Sequence, residues 1–591
     1  MRFVAALVAF VVAAAMMAVG IAQRTVLLPP DRAVASAQVP AGAHYVVIPG
    51  SALKAHPGQQ HLTIHGDDAV FAAYGRTGDV MAWLSGQRYT RLGFDDVSGT
   101  FARPVSAVAP VVAGLRGGAK PDPNGSDLWL DQRRTTGSLT WNVNLPKNLS
   151  LIVASDGRQA APNGVSITWP VSVSTPFATP LIVGGSLLLL VGLILYILAL
   201  LHLRRRRGPR RKAPPRMPRP PQPPRYKPAP VAVPVASRGR RAAGRPFTAV
   251  LALGTAGLLL SGCAPLTAAT EGASAAGATP SPTEKTTVPV TPVAVTTQQA
   301  VRIVRDAARV ERAADRALDA TRLEARFAGP ALALRKAAYT LHDRSTKFAL
   351  PQALPVDHAQ VQVVLPQATA EWPRTLFAVD TDISSNTVPP LAITLVQQTP
   401  RSPYQVQYLT PLQPGAVLPA LPNALTGAAR VAPDTTLLKV APGELAIRYG
   451  RVLRSAKTHS AVLFDSTHDS LQQEVGLPAK EKLAKALGKG GKLTYSDAKT
   501  DPASVVALAT AASGALVSVS LSETWTAKPA KAGAKVKPSG ATQVLSNVKS
   551  TTKGIALVHG MQLLFSVPPA GASGRVVLLG YAQGLISAKE L

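Results

Sequence analysis

Runs and alternations of apolar residues divide the chain into segments of different kinds. From Phe3 to Ala22 the positions are continuously apolar, behind Met1-Arg2, and about 20 such residues cross a bilayer as a helix. Gly20 and Ala22 also place small residues where a leader peptidase cuts, so residues 1–23 are read as either a signal anchor or a signal peptide. A second run, Leu181 to Leu203, sits between Pro180 and Arg204 to Arg207 and predicts a transmembrane helix over residues 179–203. Between these runs the pattern changes to period two. Leu139, Trp141, Val143 and Leu145 fall on one strand face and Ser138, Thr140, Asn142 and Asn144 on the other; Val165, Ile167, Trp169, Val171 and Val173 repeat the pattern. Asp156-Gly157 and Asn163-Gly164 supply turns. Residues 24–178 are therefore expected to form an antiparallel β domain, sandwich-like or barrel-like.

Downstream, Thr296-x-x-Gln299 has the form of a capping box opening a helix that extends to Phe327, with Val301, Val304, Ala308, Ala314, Leu318 and Ala325 on its apolar flank. Gly329-Pro330 ends it. Strands are predicted at 361–365, 375–379, 391–397 and 404–409, then helices at 443–455 and 479–487, then strands at 515–526, 554–567 and 575–582. Helices followed by a meander, twice over, predict an α+β region divided as residues 297–422 and 432–591.

Charge changes the picture between the membrane run and this region. The net charge of the 591 residues is +31, and fifteen Lys and Arg with no Asp or Glu lie between Arg204 and Arg245. Arg204, Arg205, Arg206, Arg207, Arg210, Arg211 and Lys212 abut the membrane run, where the positive-inside rule puts them in the cytoplasm on the anionic inner leaflet. Residues 24–178 are then extracytoplasmic. Basic charge gathered beside an apolar segment argues for the lipid bilayer as partner and against nucleic acid. Proline repeats from Arg216 to Pro228 favour an extended tether, so residues 204–245 read as a basic cytoplasmic linker.

After that linker, Arg238, Arg240, Arg241 and Arg245 precede the apolar run Phe247 to Leu260, which closes on Leu260-Ser261-Gly262-Cys263. This is the layout of a bacterial lipoprotein signal, with Cys263, the single cysteine of the chain, as the acyl acceptor. Residues 246–263 are thus a third apolar segment that returns the chain to the outside, and the Ala/Gly/Ser/Thr/Pro-rich residues 264–296 a flexible spacer.

Several constellations were weighed for chemistry. His61-x-x-x-His65-Gly-Asp67-Asp68 has zinc-ligand residue types, but on a strand the two imidazoles stand about 13 Å apart, so a solvated strand and turn is expected. Asp465-Ser466-Thr467-His468-Asp469-Ser470 holds the members of a hydrolase triad as neighbours, whereas triads assemble from distant positions; a polar helix end is expected. Gly488-Lys489-Gly490-Gly491-Lys492 lacks the first glycine and the hydroxyl of a phosphate loop and reads as a cationic turn. Trp83, Trp129, Trp141 and Trp169 lie in the β domain, where buried or interfacial indoles are commonest; Trp129, between Asp127 and Asp131, is the one best placed to be exposed and to stack on a wall sugar. No catalytic, cofactor-binding or metal site is assigned.

The stretches Ser126-Asp127-Leu128-Trp129-Leu130, Ala154-Ser155-Asp156-Gly157 and Trp169-Pro170, with the membrane run and the lipobox, resemble actinobacterial membrane proteins of unknown function. The two C-terminal α+β halves resemble NTF2-like (cystatin-like) domains, a fold that hosts enzymes, binding modules and scaffolds alike. The expectation is a multi-pass cell-membrane protein with a sandwich-like β ectodomain and a C-terminal α+β region outside. Its expected role is non-enzymatic binding or scaffolding, with wall polymer or other envelope proteins as partners and no cofactor. A ligand-sensing or transport-associated NTF2-like module is the first alternative, and an enzyme acting on wall glycan or teichoic acid the second.

Overall fold

The computed structural model describes residues 2–28, 30–113, 115, 120–171, 175–206, 291–354, 359–382, 387–455, 457–487, 490–496 and 498–591. The chain divides into two compact units, one of residues 1–22 and 177–288, the other of residues 23–176 and 289–591. It opens with helix α1 (Arg2–Thr25), then enters the β domain.

The β domain contains β1 (Arg32–Gln38), β2 (Tyr45–Pro49), the short α2 (Gly50–Leu53), β3 (Gln60–Arg76), α3 (Thr77–Leu84) and β4 (Arg88–Arg91). A small ribbon of β5 (Phe94–Asp95) and β6 (Thr100–Phe101) precedes β7 (Val105–Val108), β8 (Asp131–Val143), β9 (Leu149–Ala154) and β10 (Gly164–Pro170). The main sheet runs β1-β10-β3-β9-β2-β4-β7, with β8 paired to β3. Its pairs are antiparallel except β2 with β4. Where a turn was expected at Gly66-Asp67-Asp68, the strand instead bulges between His65 and Ala69 and continues to Arg76. The reason is β8, which follows β3 on both sides of the bulge and turns with it at Gly137, whose φ of 81° suits glycine. Asn163-Gly164 is likewise no tight turn: Gly164 already pairs with Gln38 and His65 as the first residue of β10.

Alternation in β8 and β10 buries Leu139, Trp141, Val143, Val165, Ile167 and Trp169 in one core with Leu62, Ile64, Val46 and Ile48. Strands β2 and β9 are apolar on both faces. Their second face, with Tyr45, Val47, Ile152 and Ala154, forms another core under α3 and the 120–130 loop, where Val80, Trp83, Leu84, Leu128 and Trp129 pack. Trp129 is therefore not exposed: it is fully buried, its Nε1 donates to Pro123 O at 2.6 Å, and Trp83 lies 5.6 Å away. Of the polar neighbours that made it look like a surface residue, Asp131 stays about half exposed while Asp127 is itself buried. Trp83, Trp141 and Trp169 are buried too.

After the β domain comes α4 (Ala178–Arg206). Both α1 and α4 contain a stretch long and apolar enough to cross a membrane, Phe3–Thr25 and Ala178–Arg205. They pack antiparallel through small residues. Ala6, Ala13 and Gly20 of α1 are buried, as are Ala178, Gly185, Gly192 and Ala199 of α4, each set spaced by seven. A Cβ on Gly185 would stand 2.8 Å from Met17 Cγ and 3.0 Å from Ala13 O, and one on Gly20 would stand 2.7 Å from Ile182 Cγ1. Small residues at such a contact let the two backbones approach closely, which maximises van der Waals packing between helices. Phe3 and Tyr196 close the other end with ring centroids 5.4 Å apart.

The C-terminal region has two layered halves. The first contains α5 (Thr297–Ala317), α6 (Ala320–Leu323), α7 (Gly329–Arg344), β11 (Ala359–Pro366), β12 (Arg374–Asp382), β13 (Leu391–Gln397) and β14 (Gln405–Pro411). The second contains α8 (Pro442–Arg454), α9 (Ser470–Val475), α10 (Leu477–Leu487), β15 (Gly491–Tyr495), β16 (Val506–Ala509), β17 (Ala515–Pro529), α11 (Gly540–Ser546), β18 (Ile555–Val567) and β19 (Val577–Glu590). Both bonds of the capping box at Thr296 and Gln299 are present. The helix it opens ends ten residues before Phe327, because Leu318 turns left-handed at φ 49° and the Asp319 carboxylate accepts the Thr321 and Arg322 N–H groups to start α6. Gly329-Pro330 ends nothing; it opens α7, with Pro330 in the first turn.

The first half's sheet runs β11-β12-β13-β14 and the second's β15-β17-β18-β19, with β16 on β17. Helices α5 to α7 cover one face of the first sheet around Ile303, Val304, Phe327, Leu376 and Ile393. Helices α8 and α9 cover one face of the second around Leu445, Tyr449, Leu471, Val517 and Phe565. The uncovered faces meet: Phe377, Val379 and Ala392 pack on Leu508, Leu516, Leu564 and Leu579. Thr394 and Ser518 share a buried 2.8 Å hydroxyl contact, and Leu409 N donates to Gln562 Oε1 at 2.8 Å.

Candidate functional site: the seam between the β domain and the C-terminal region

The polar residues of the 120–130 loop and the end of α3 face a set of cationic side chains on the C-terminal region. Asp127, 2% exposed, takes both ends of the Arg326 guanidinium at 2.6 and 3.2 Å and the Tyr404 N–H at 2.7 Å. The carbonyls beside it are also taken. Gln299, having closed the capping box through its Oε1, uses its Nε2 on Asp127 O and Leu128 O at 3.2 Å each. Arg302, one helical turn on, reaches Leu130 O at 3.2 Å and also bonds Trp129 O. The loop thus presents apolar Leu128 and Trp129 to its own sheet and its backbone to α5.

Helix α3 supplies the second contact. Asp79 near its N-terminus accepts Arg374 Nη2 at 2.8 Å. At its other end Arg401 donates to Trp83 O at 2.8 Å and Ser85 O at 2.7 Å, where the helix's free carbonyls and its negative dipole end favour a cation. Burial pulls Arg401 below the ordinary guanidinium range, with Tyr45 acting the other way. Arg76, from the β domain, returns a bond to Ala294 O at 3.1 Å. The Arg374 guanidinium lies 3.7 Å over the Trp372 ring, and burial pushes the nearby Tyr404 hydroxyl well above its usual value.

A cavity of about 590 Å³ opens along this seam. Arg76, Asp79, Met81 and Val112 form one wall, and Pro292, Val293, Glu371, Trp372 and Arg374 the other. Arg374 is 3% exposed, and its Nε and Nη1 have no hydrogen-bond partner among the described residues.

Two other charged clusters are closed. In the second half Lys480 Nζ lies 2.7 Å from Glu523, whose Oε2 also accepts Trp525 Nε1 at 2.7 Å; His559 stacks on Trp525 at 3.9 Å. Burial and the Lys480 charge bring the His559 imidazole down to about 4. In the first half Arg335 bridges Glu311 and Asp315, and Tyr339 donates to Asp315 at 2.6 Å. Burial lifts the Glu311 carboxyl to about 7 against the pull of Arg335.

The residues singled out in the sequence fall elsewhere. Cys263, Leu260, Ser261, Gly262, Arg207, Arg210, Arg211 and Lys212 lie outside the described residues, as do Gly488 and Lys489; Arg204, Arg205 and Arg206 end α4. His61 and His65 are exposed on β3, with His61 bonded to Asn142. No group of three or more His, Cys, Asp or Glu placed to hold a metal occurs among the described residues. Asp465 accepts the Thr467 N–H, which together with the Thr467 hydroxyl lowers its carboxyl, while Asp469 caps α9 and accepts Tyr449 Oη at 2.7 Å. Ser470 bonds Gln413, so these neighbours serve three separate ends. Sequence reading did not find the seam arginines, Arg302, Arg326, Arg374 and Arg401.

Residues 290–590 match the family described as Domain of unknown function (DUF8094). The match covers just over half of the chain, which belongs to that family. No curated protein and no solved structure matches it.

Proposed function

We propose that this DUF8094 protein is a membrane-anchored binding scaffold whose β domain and C-terminal region work together outside the cytoplasm. The observation that carries it is the Asp127–Arg326 and Asp79–Arg374 pairing. It joins residues on either side of a membrane-length helix and a basic run, and groups bonded at 2.6–2.8 Å share one side of a bilayer. With the arginines that end α4 in the cytoplasm, the chain between residues 207 and 290 has to cross back, and Phe247 to Gly262 is its apolar stretch. Cys263 then emerges outside as a lipoprotein acceptor. The α1–α4 packing favours α1 as a retained anchor over a cleaved leader. Helices on one face of an antiparallel sheet, in both C-terminal halves, support the NTF2-like reading.

Cysteine labelling of intact cells tests the arrangement. Substitutions at exposed Asp67 and Asp434 should react with an impermeant maleimide, and one at Ala229 should not. Labelling at Ala229 refutes it. Replacing Cys263 with Ser should abolish incorporation of labelled fatty acid; an unlabelled wild type removes the lipid anchor from the proposal.

A second reading, ligand sensing, is favoured by the seam cavity, because a molecule held there touches both regions and would shift their association.

A further inference from the structure

The seam looks like a junction between subunits. Its bonds run between residues 76–130 and 294–404, and among the described residues the Asp127 carboxylate takes none of its partners from the β domain. Alone, the β domain would present Asp127, Asp79 with Arg76 at 3.4 Å as its remaining partner, and the bare carbonyls of Trp83, Ser85 and residues 127–130; alone, the C-terminal region would present Arg302, Arg326, Arg374 and Arg401 stripped of their bonds across the seam, Arg326 keeping Tyr404 O at 3.4 Å and Arg374 keeping Ala370 O at 2.9 Å. Both carboxylates that pair across the seam, Asp79 and Asp127, lie on the β domain, and four of the five arginines that bond across it lie on the C-terminal region, Arg76 being the exception; each buried charge is costly to leave unpaired.

We infer that this docking holds without the covalent tether: a cut anywhere between residues 207 and 290 leaves residues 291–591 bound as a separate subunit to the β domain on its anchor. The inference goes beyond the topology proposed above, because it concerns the strength of the interface and not the side of the membrane. A tether raises the effective concentration of the two faces to about millimolar. Cutting it is harmless only if the interface itself binds at about micromolar or tighter, and the charge-assisted bonds of Asp127 and Asp79 to Arg326 and Arg374 are the contacts on which that strength rests.

The test uses the full chain carrying Cys263→Ser, which can be neither acylated nor cut at the lipobox, with a protease-recognition sequence inserted after Gly277. The detergent-solubilised protein is immobilised through a tag at its N-terminus at about 1 µM and cut. The C-terminal fragment should remain bound through extensive washing. Asp127→Arg on one face and Arg326→Glu on the other should each weaken retention by at least about tenfold, with the uncut variants still melting cooperatively. Release of the wild-type fragment on cutting overturns the inference, as does retention of both variants at the wild-type level. Should one variant fail to melt cooperatively, the other, from the opposite face, decides. Cutting in detergent is blind to sidedness, so the labelling experiment can fail while this one succeeds, and the reverse.

Discussion

Lys480→Met separates the parts of the charged cluster in the second C-terminal half. Lys480 and Glu523 are each about 4% exposed, and Nζ lies 2.7 Å from the carboxylate and 5.0 Å from the Tyr495 ring centroid. Methionine fills nearly the same volume but supplies no charge. Among the described residues Glu523 then keeps a single side-chain donor, Trp525 Nε1. Breaking a buried pair on one side costs about 3–5 kcal/mol because the remaining charge has nothing to balance it. The Lys480 charge is the second cause of the depressed His559 imidazole. In the variant that imidazole should titrate above its wild-type value of about 4 but below 6.5, since burial, the larger cause, remains. Chemical unfolding in detergent at pH 5 and pH 8, with the His559 resonance followed by NMR, reads both effects. Lys480→Met/Glu523→Leu should recover most of the lost stability. A single variant within about 1 kcal/mol of wild type at pH 8, or an unmoved His559, refutes the account of this cluster.

Cysteines at Ala9 and Gly192 should cross-link on oxidation, because a Cβ on Gly192 stands 3.3 Å from Ala9 Cβ, near the spacing of a disulfide; adding Gly185→Leu should lower the yield, and absence of α1 from the mature protein by mass spectrometry would refute its retention. For His559, the folded imidazole at about 4 lies below its ordinary 6.5, so the unfolded chain binds the proton first and stability falls as pH drops from 6.5 to 4. His559→Gln should flatten thermal stability across that window relative to wild type, and equal slopes would show that the imidazole does not contribute.

Elements whose own residues carry the signal were legible. The β8 and β10 alternation, the capping box at Thr296 and the boundaries of β13 follow from neighbours two to four positions apart. Helix α7 was missed although Gly329-Pro330 carried its start signal, since a proline breaks a helix it interrupts and begins one it precedes. The seven-residue stripe of small residues was hidden inside uniformly apolar runs, where hydropathy has no contrast to offer. Trp129 was misplaced for a different reason. Asp127 and Asp131 mark a polar surface in sequence and Asp131 does stay half exposed, but Asp127 is covered by Arg326 and the Tyr404 N–H, and nothing near residue 127 says that Arg326, 199 positions later, will reach it. The same distance concealed every seam arginine: each reads as an ordinary solvated cation until its carbonyl or carboxylate partner is placed beside it.

The seam also sets an order of events during synthesis. The β domain is complete at Val171, yet the last residue that contacts Asp127 is Tyr404, about 230 residues later. At about 5–20 residues per second the ribosome needs about 10–50 s to make that stretch. For that interval a finished sheet waits with Asp127 unmatched, Asp79 lacking Arg374, and the carbonyls over Trp83 and Trp129 open to any passing cation. The nascent chain therefore has a period of vulnerability built into its length, during which a holding chaperone, or a neighbouring molecule's C-terminal region offering its arginines in exchange, would find the face vacant.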